Sequence, residues 1–135
     1  MTIDELNRYR GLKAEAEAIK EELEQIYNTV QSPPLEKIGS KPAGLPTSRT
    51  ETAAYRAIEL RDSLEELQMQ ISAARQRIEK YIRSVDDEYI RSSMRWHFIQ
   101  GKSWADTSRK VYGLHAGKDS ARVAVRRYLE KDGQK

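Results

Sequence analysis

Residues 101–131 read GKSWADTSRKVYGLHAGKDSARVAVRRYLEK, and nothing earlier in the chain resembles them. Gly101 ends one helical segment. Ser103, followed three residues later by Asp106, resembles a capping box with Asp where Glu or Gln is usual. A short helix then carries Trp104, Thr107, Ser108 and Val111. The YGLHAG segment at 112–117 is a turn, and Asp119 or Ser120 caps a last helix with Ala121, Val125, Tyr128 and Leu129 along one side. The stretch is also basic. Eight cations (Lys102, Arg109, Lys110, Lys118, Arg122, Arg126, Arg127, Lys131) stand against Asp106, Asp119 and Glu130, a larger excess than the +3 of the whole chain. Positive charge gathered in one small region suits a phosphate-binding surface better than a general solubility charge.

Working back from Gly101, SVDDEYIRSSMRWHFIQ (84–100) predicts another helix. Asp86 and Asp87 follow Val85 as an N-cap with acidic residues at the positive helix end. Tyr89, Ile90, Met94, Phe98 and Ile99 form an apolar face broad enough for a globule. Three helices within 86–135, the last basic, have the proportions of a helix-turn-helix unit. Its expected core (Ile90, Phe98, Trp104, Val125 and Leu129) is independent of what precedes it. Trp104 reads as core, and Trp96 as a cover for the globule or a junction.

The preceding residues carry a different pattern. Over 3–30, Tyr9, Leu12, Ala16, Ile19, Leu23, Ile26 and Val30 alternate in steps of three and four, a coiled-coil seam in which Gly11 is a weak point. A second seam over 48–85 uses Ala53, Ala57, Leu60, Leu64, Leu67, Ile71, Ala74, Ile78, Tyr81 and Val85, opened by a capping box from Ser48 to Glu51. Between them the linker 31–47 holds all four prolines, so neither helix is expected to continue into it. Its length permits parallel or antiparallel pairing. The expected fold is therefore all-α: a long two-helix coiled-coil hairpin (1–85), followed by a small three-helix helix-turn-helix unit (86–135). A hairpin with so little core also favours self-association into a homo-oligomer.

Composition narrows the function. With 33% charged residues and a mean hydropathy of −0.82, the chain is polar in the way of exposed helices. It has no cysteine, no secretory h-region and no long apolar run, so the reading is a soluble protein of a reducing cytosol with no membrane partner. His97 and His115 lack the neighbours and spacing of metal ligands, and no cofactor is expected. No glycine loop cradles phosphate, and Glu65, Glu66 and Glu79 sit on polar helix faces. The chain does not read as an enzyme.

The series Phe98, Ile99, Gly101, Lys102, Ser103, Trp104, then Gly113, Asp119, Ser120, Arg122, Arg127, Tyr128 and Leu129 resembles small phage and prophage proteins. Their C-terminal helix-turn-helix is similar to region four of bacterial sigma factors. Thr107 and Ser108 replace the apolar residue and alanine usual in that family, which predicts looser packing of the motif's first helix. The resemblance implies a cytoplasmic, DNA-binding transcriptional regulator in a bacterial host, with double-stranded DNA as its first partner and RNA polymerase as a second candidate. Two alternatives stand beside it: a coiled-coil adaptor that binds a host protein such as RNA polymerase, and a DNA-recognition subunit for phage genome packaging. In the DNA reading, Lys118, Ser120, Arg122, Val123 and Arg126 face the groove, with Arg122 and Arg126 four apart on one face. Lys102, Arg109 and Lys110 are phosphate contacts. Arg127 joins the DNA-binding set, with an internal pair to Asp86, Asp87 or Glu88 as its alternative.

Overall fold

The computed structural model describes the backbone of residues 1–31 and 44–134, and the side chains of 1–29 and 50–134. Among these residues the chain is all-helical, with five helices and no strand. They are α1 (Ile3–Gln31), α2 (Gly44–Ser84), α3 (Glu88–Met94), α4 (Trp104–Tyr112) and α5 (Ser120–Gly133), and α3 runs on directly into a π-helical turn, Arg95–Ile99. No described helix is long and apolar enough to cross a membrane.

Local sequence explains most of the boundaries. Helix α1 opens on a reciprocal capping box: the Thr2 amide donates to Glu5 Oε2 (3.1 Å) and the Glu5 amide to Thr2 Oγ1 (3.2 Å). Asp87 caps α3 by accepting from the amides of Tyr89 (2.8 Å) and Ile90 (3.2 Å). Helix α2 begins at Gly44, four residues before the start expected at Ser48, so Pro46 falls inside its first turn. That is a physically cheap place for proline, because first-turn amides have no intrahelical acceptor. The side chain of Ser48, and with it the expected capping box, lies outside the described residues, as does most of the linker 31–47.

The chain divides into two compact units. One combines Met1–Lys13 with Ile71–Lys135, and the other is Ala14–Gln70. This differs from the boundary expected at residue 86. In the first unit a single core joins Leu6 and Tyr9 of α1, Ala74, Ile78 and Ile82 of α2, and Val85 to Ile90, Met94, Phe98, Ile99, Val125 and Leu129. The core shared by the three C-terminal helices thus extends to residues outside them. It includes the beginning of α1 and the end of α2, elements that meet in the antiparallel sense. Polar contacts follow the same path. Lys13 Nζ donates to the Ile99 carbonyl (3.0 Å), Arg91 Nη1 donates to the Val85 carbonyl (2.6 Å), and Tyr81 donates to Asp132 Oδ2 (2.6 Å).

The π-helical turn explains how three successive residues, His97, Phe98 and Ile99, are all buried. A wider turn carries more residues per revolution, so one broad arc faces the core. Tyr89, expected on the apolar face of α3, is instead 57% exposed and stacks on Tyr112 at 5.6 Å between ring centroids.

In the second unit, Ala16, Leu23, Ala57 and Leu67 are buried, and Ile19, Ile26, Leu60 and Leu64 are half-buried. These are the seam positions. Arg56 pairs with Glu22, and the Arg61 guanidinium lies 5.0 Å from the centre of the Tyr27 ring. Tyr55, Ile58 and Met69 of α2 are exposed.

Candidate nucleic-acid interface

Helix α4 is capped by Ser103, whose hydroxyl accepts from the Asp106 amide (3.1 Å). It ends at Gly113, whose φ of +104° lies in a region that L side chains rarely adopt, so glycine is needed there to turn the chain. After the turn, α5 packs directly on α4. Asp119 occupies the N-cap position of α5, but its carboxylate makes no cap hydrogen bond and pairs with Arg122 Nε at 3.3 Å.

The cap comes from the neighbouring helix instead. Ser108 of α4, fully buried, accepts from the Ala121 amide (3.0 Å) and donates to the Lys118 carbonyl (3.2 Å). One hydroxyl thus satisfies an orphan amide at the start of α5 and a carbonyl of the turn. Packing at Thr107 and Ser108 is not looser as expected, since both side chains are wholly buried. Ser108 acts as a polar bracket that alanine would not supply. The Thr107 hydroxyl has no partner among the described residues.

A second bracket fixes the entry to α4. His97 is buried and stacks on Trp104 at 3.6 Å, and Phe98 meets both rings edge-on. Its Nδ1 lies 2.7 Å from the Lys102 carbonyl, and its Nε2 lies 3.1 Å from Arg10 Nη1. Only one tautomer serves both contacts: Nδ1–H donates to the carbonyl and Nε2 accepts from Arg10. Burial, reinforced by the Arg10 charge and opposed by the carbonyl hydrogen bond, lowers the imidazole to about 4. It is neutral at pH 7. Trp104 is half-buried and packs against the core, and half-buried Trp96 lies beneath Lys110, with the ammonium 4.6 Å from its ring centre.

The residues expected at the interface divide into distinct groups. Lys118, Ser120, Val123 and Arg127 line one open groove together with Tyr112, His115, Ala116, Gly117, Asp119 and Ala124. Lys102, Arg109, Lys110 and Arg126 are exposed but lie outside that groove. Arg109 pairs with Asp106, whose carboxyl is held below the usual range chiefly by the hydrogen bond from Arg109. Arg122 is the residue that moves away from expectation. Half-buried, it pairs with Asp119 one turn back, while Arg126, four residues on, is exposed and makes no ion pair among the described residues.

The internal pair considered for Arg127 does not form, because that side chain is exposed and has no ion pair among the described ones. Asp86 and Asp87 act on the Tyr128 phenol, which burial first and then Asp132 and these carboxylates raise. Sequence reasoning missed Tyr112 and His115 in the groove, and it missed Ser108 behind it. The position of Tyr112 immediately before a turn glycine was the available signal for the first. Nothing local distinguishes Ser108, since its partners are ten and thirteen residues away.

Among the described residues no group of three or more His, Asp or Glu side chains is placed to hold a metal ion. Comparison with protein-family models, curated proteins and solved structures finds no match to this chain.

Proposed function

We propose that this chain is a double-stranded DNA-binding transcriptional regulator in which α4, its turn and α5 act as a helix-turn-helix, similar to region four of sigma factors in a phage or prophage setting. The observation that carries this reading is the outward side of α5. Ala121, Val125 and Leu129 turn into the core, while Lys118, Arg126, Arg127 and Lys131 remain exposed and outside the ion pairs found among the described residues. A helix held rigidly at its N-terminus, with unpaired cations along its free side, matches the needs of major-groove docking: positioning by phosphates and reading by the first exposed turns. Lys102 and Lys110, exposed on the α4 side, extend the same positive field.

The test is titration of the full chain against labelled duplexes over a range of salt concentrations. Binding should weaken linearly in log–log form, with a slope near −0.9 per phosphate engaged. Lys118→Ala and Arg126→Ala should each reduce that slope by about one if their contact is to phosphate. Absence of salt-dependent binding to any duplex would remove the reading.

A second role in association rests on a separate observation. Tyr55, Ile58 and Met69 leave large apolar side chains on the surface of α2, 69%, 52% and 70% exposed. Such residues favour contact through the long helices, either in a homo-oligomer or with a protein such as RNA polymerase. Sedimentation of the wild type and of Ile58→Asp distinguishes a self-associating chain from a monomer that needs another partner.

A further inference from the structure

Val123 is an odd residue for a phosphate-binding face. It lies half a turn around α5 from both Ala121 and Val125, which are wholly buried, so it points directly away from the core. It is 37% exposed and borders the groove that also contains Lys118, Ser120 and Arg127. Arg126 and Arg127 sit three and four residues further on, beside it on the helix surface. The acidic groups nearby are Asp119, engaged with Arg122, and Glu130, two turns further along the helix. Val123 forms an apolar spot beside Tyr112, flanked by Lys118 and Arg127, with Asp119 as the one carboxylate in the groove.

An occupant must therefore offer negative charge around a compact apolar group. A phosphate chain alone supplies only the charge, and the valine would gain nothing from it. The major groove of duplex DNA supplies both, because the C5-methyl of thymine projects between two phosphate backbones and is the one apolar group on a base edge. We propose that Val123 reads a thymine methyl, making this residue a specificity determinant and placing an A·T pair at the base step it faces. This inference rests on the DNA-binding reading above. In it, Lys118 and Arg127 hold the flanking backbone and leave the choice of base at that step to the valine.

The experiment uses the full chain and a duplex selected by it from a randomised pool, resynthesised with deoxyuridine replacing each thymine in turn. That change removes a methyl group and preserves the base pairing. At one thymine, binding should weaken about fourfold, the value of one buried methyl group. Val123→Ala should bind the thymine and uracil duplexes equally at that position, with its salt slope unchanged because no phosphate contact is lost. If no thymine responds to demethylation, or if Val123→Ala retains the full response, the proposal is wrong, while DNA binding stands provided its salt dependence persists. If no duplex is bound in a salt-dependent manner, the inference falls together with the reading beneath it.

Discussion

His97 makes the stability of the first unit depend on mildly acidic pH, and the size of the effect follows from its surroundings. An imidazole in the unfolded chain titrates near 6.5, whereas in the fold it titrates at about 4. Between these values the unfolded state binds a proton that the folded state refuses, so stability falls as pH drops through the window and levels off below about 4. Linkage gives a loss of about 2 kcal/mol between pH 7 and pH 5, approaching 3 kcal/mol at the lower limit. Protonation would also oppose the Nε2 contact, since imidazolium cannot accept from Arg10 and would face its positive charge. Urea denaturation at half-unit pH steps measures the slope, and His97→Asn provides the control. Asparagine can still donate to the Lys102 carbonyl but does not titrate, so the variant should be weaker at pH 7 and nearly flat from pH 7 to 4.5. A wild type without a slope in this window, or an asparagine variant with the same slope, would refute the assignment to His97.

Four further outcomes are expected. Gly11→Ala should raise the melting temperature by an amount corresponding to about 1 kcal/mol, because the glycine is helical and exposed and an added methyl group meets nothing within 4 Å. Ser108→Ala should cost about 1–3 kcal/mol in chemical denaturation by leaving the Ala121 amide and the Lys118 carbonyl without their partner, and Ser108→Thr, which retains a hydroxyl, should lose less. Leu67→Asp should lower the melting temperature markedly, since Leu67 is only 8% exposed; an unchanged melt would place it in water. A fragment of residues 86–135 should give a collapsed, fast-exchanging amide spectrum, because Leu6, Tyr9, Ile78 and Ile82 are missing from its core.

That last outcome reverses what the sequence alone suggests, and the reason is instructive. Periodicity identified the correct buried positions: Ala16, Leu23, Ala57, Leu67, Ala74 and Ile78 are all buried where the three-four alternation puts them. Periodicity describes one helix at a time, however, and does not say which stretch of a helix shares a core with which other element. Leu6 and Ile82, which the seams did not include, are fully buried near the start of α1 and the end of α2, joined to Phe98 and Leu129. The caps were legible for a related reason. Asp87 and Ser103 act within three residues of themselves, so their geometry is implicit in local sequence. Ser108 and His97 bond across the fold, to Ala121 and Arg10, and no local pattern encodes those partners.

The same distinction applies to the proposed recognition surface. Their four-residue spacing puts Arg122 and Arg126 on one helix face. Asp119 distinguishes them, because it pairs with Arg122 alone. It makes no cap bond, while Ser108 accepts from the Ala121 amide. The outward face of α5 presents Val123, Arg126 and Arg127, and Tyr112 lines the groove beside Val123 and Arg127. Ser108 fixes the start of the helix that carries this face, so under the proposed DNA-binding reading Ser108→Ala should weaken duplex binding in the salt titration as well as lower stability.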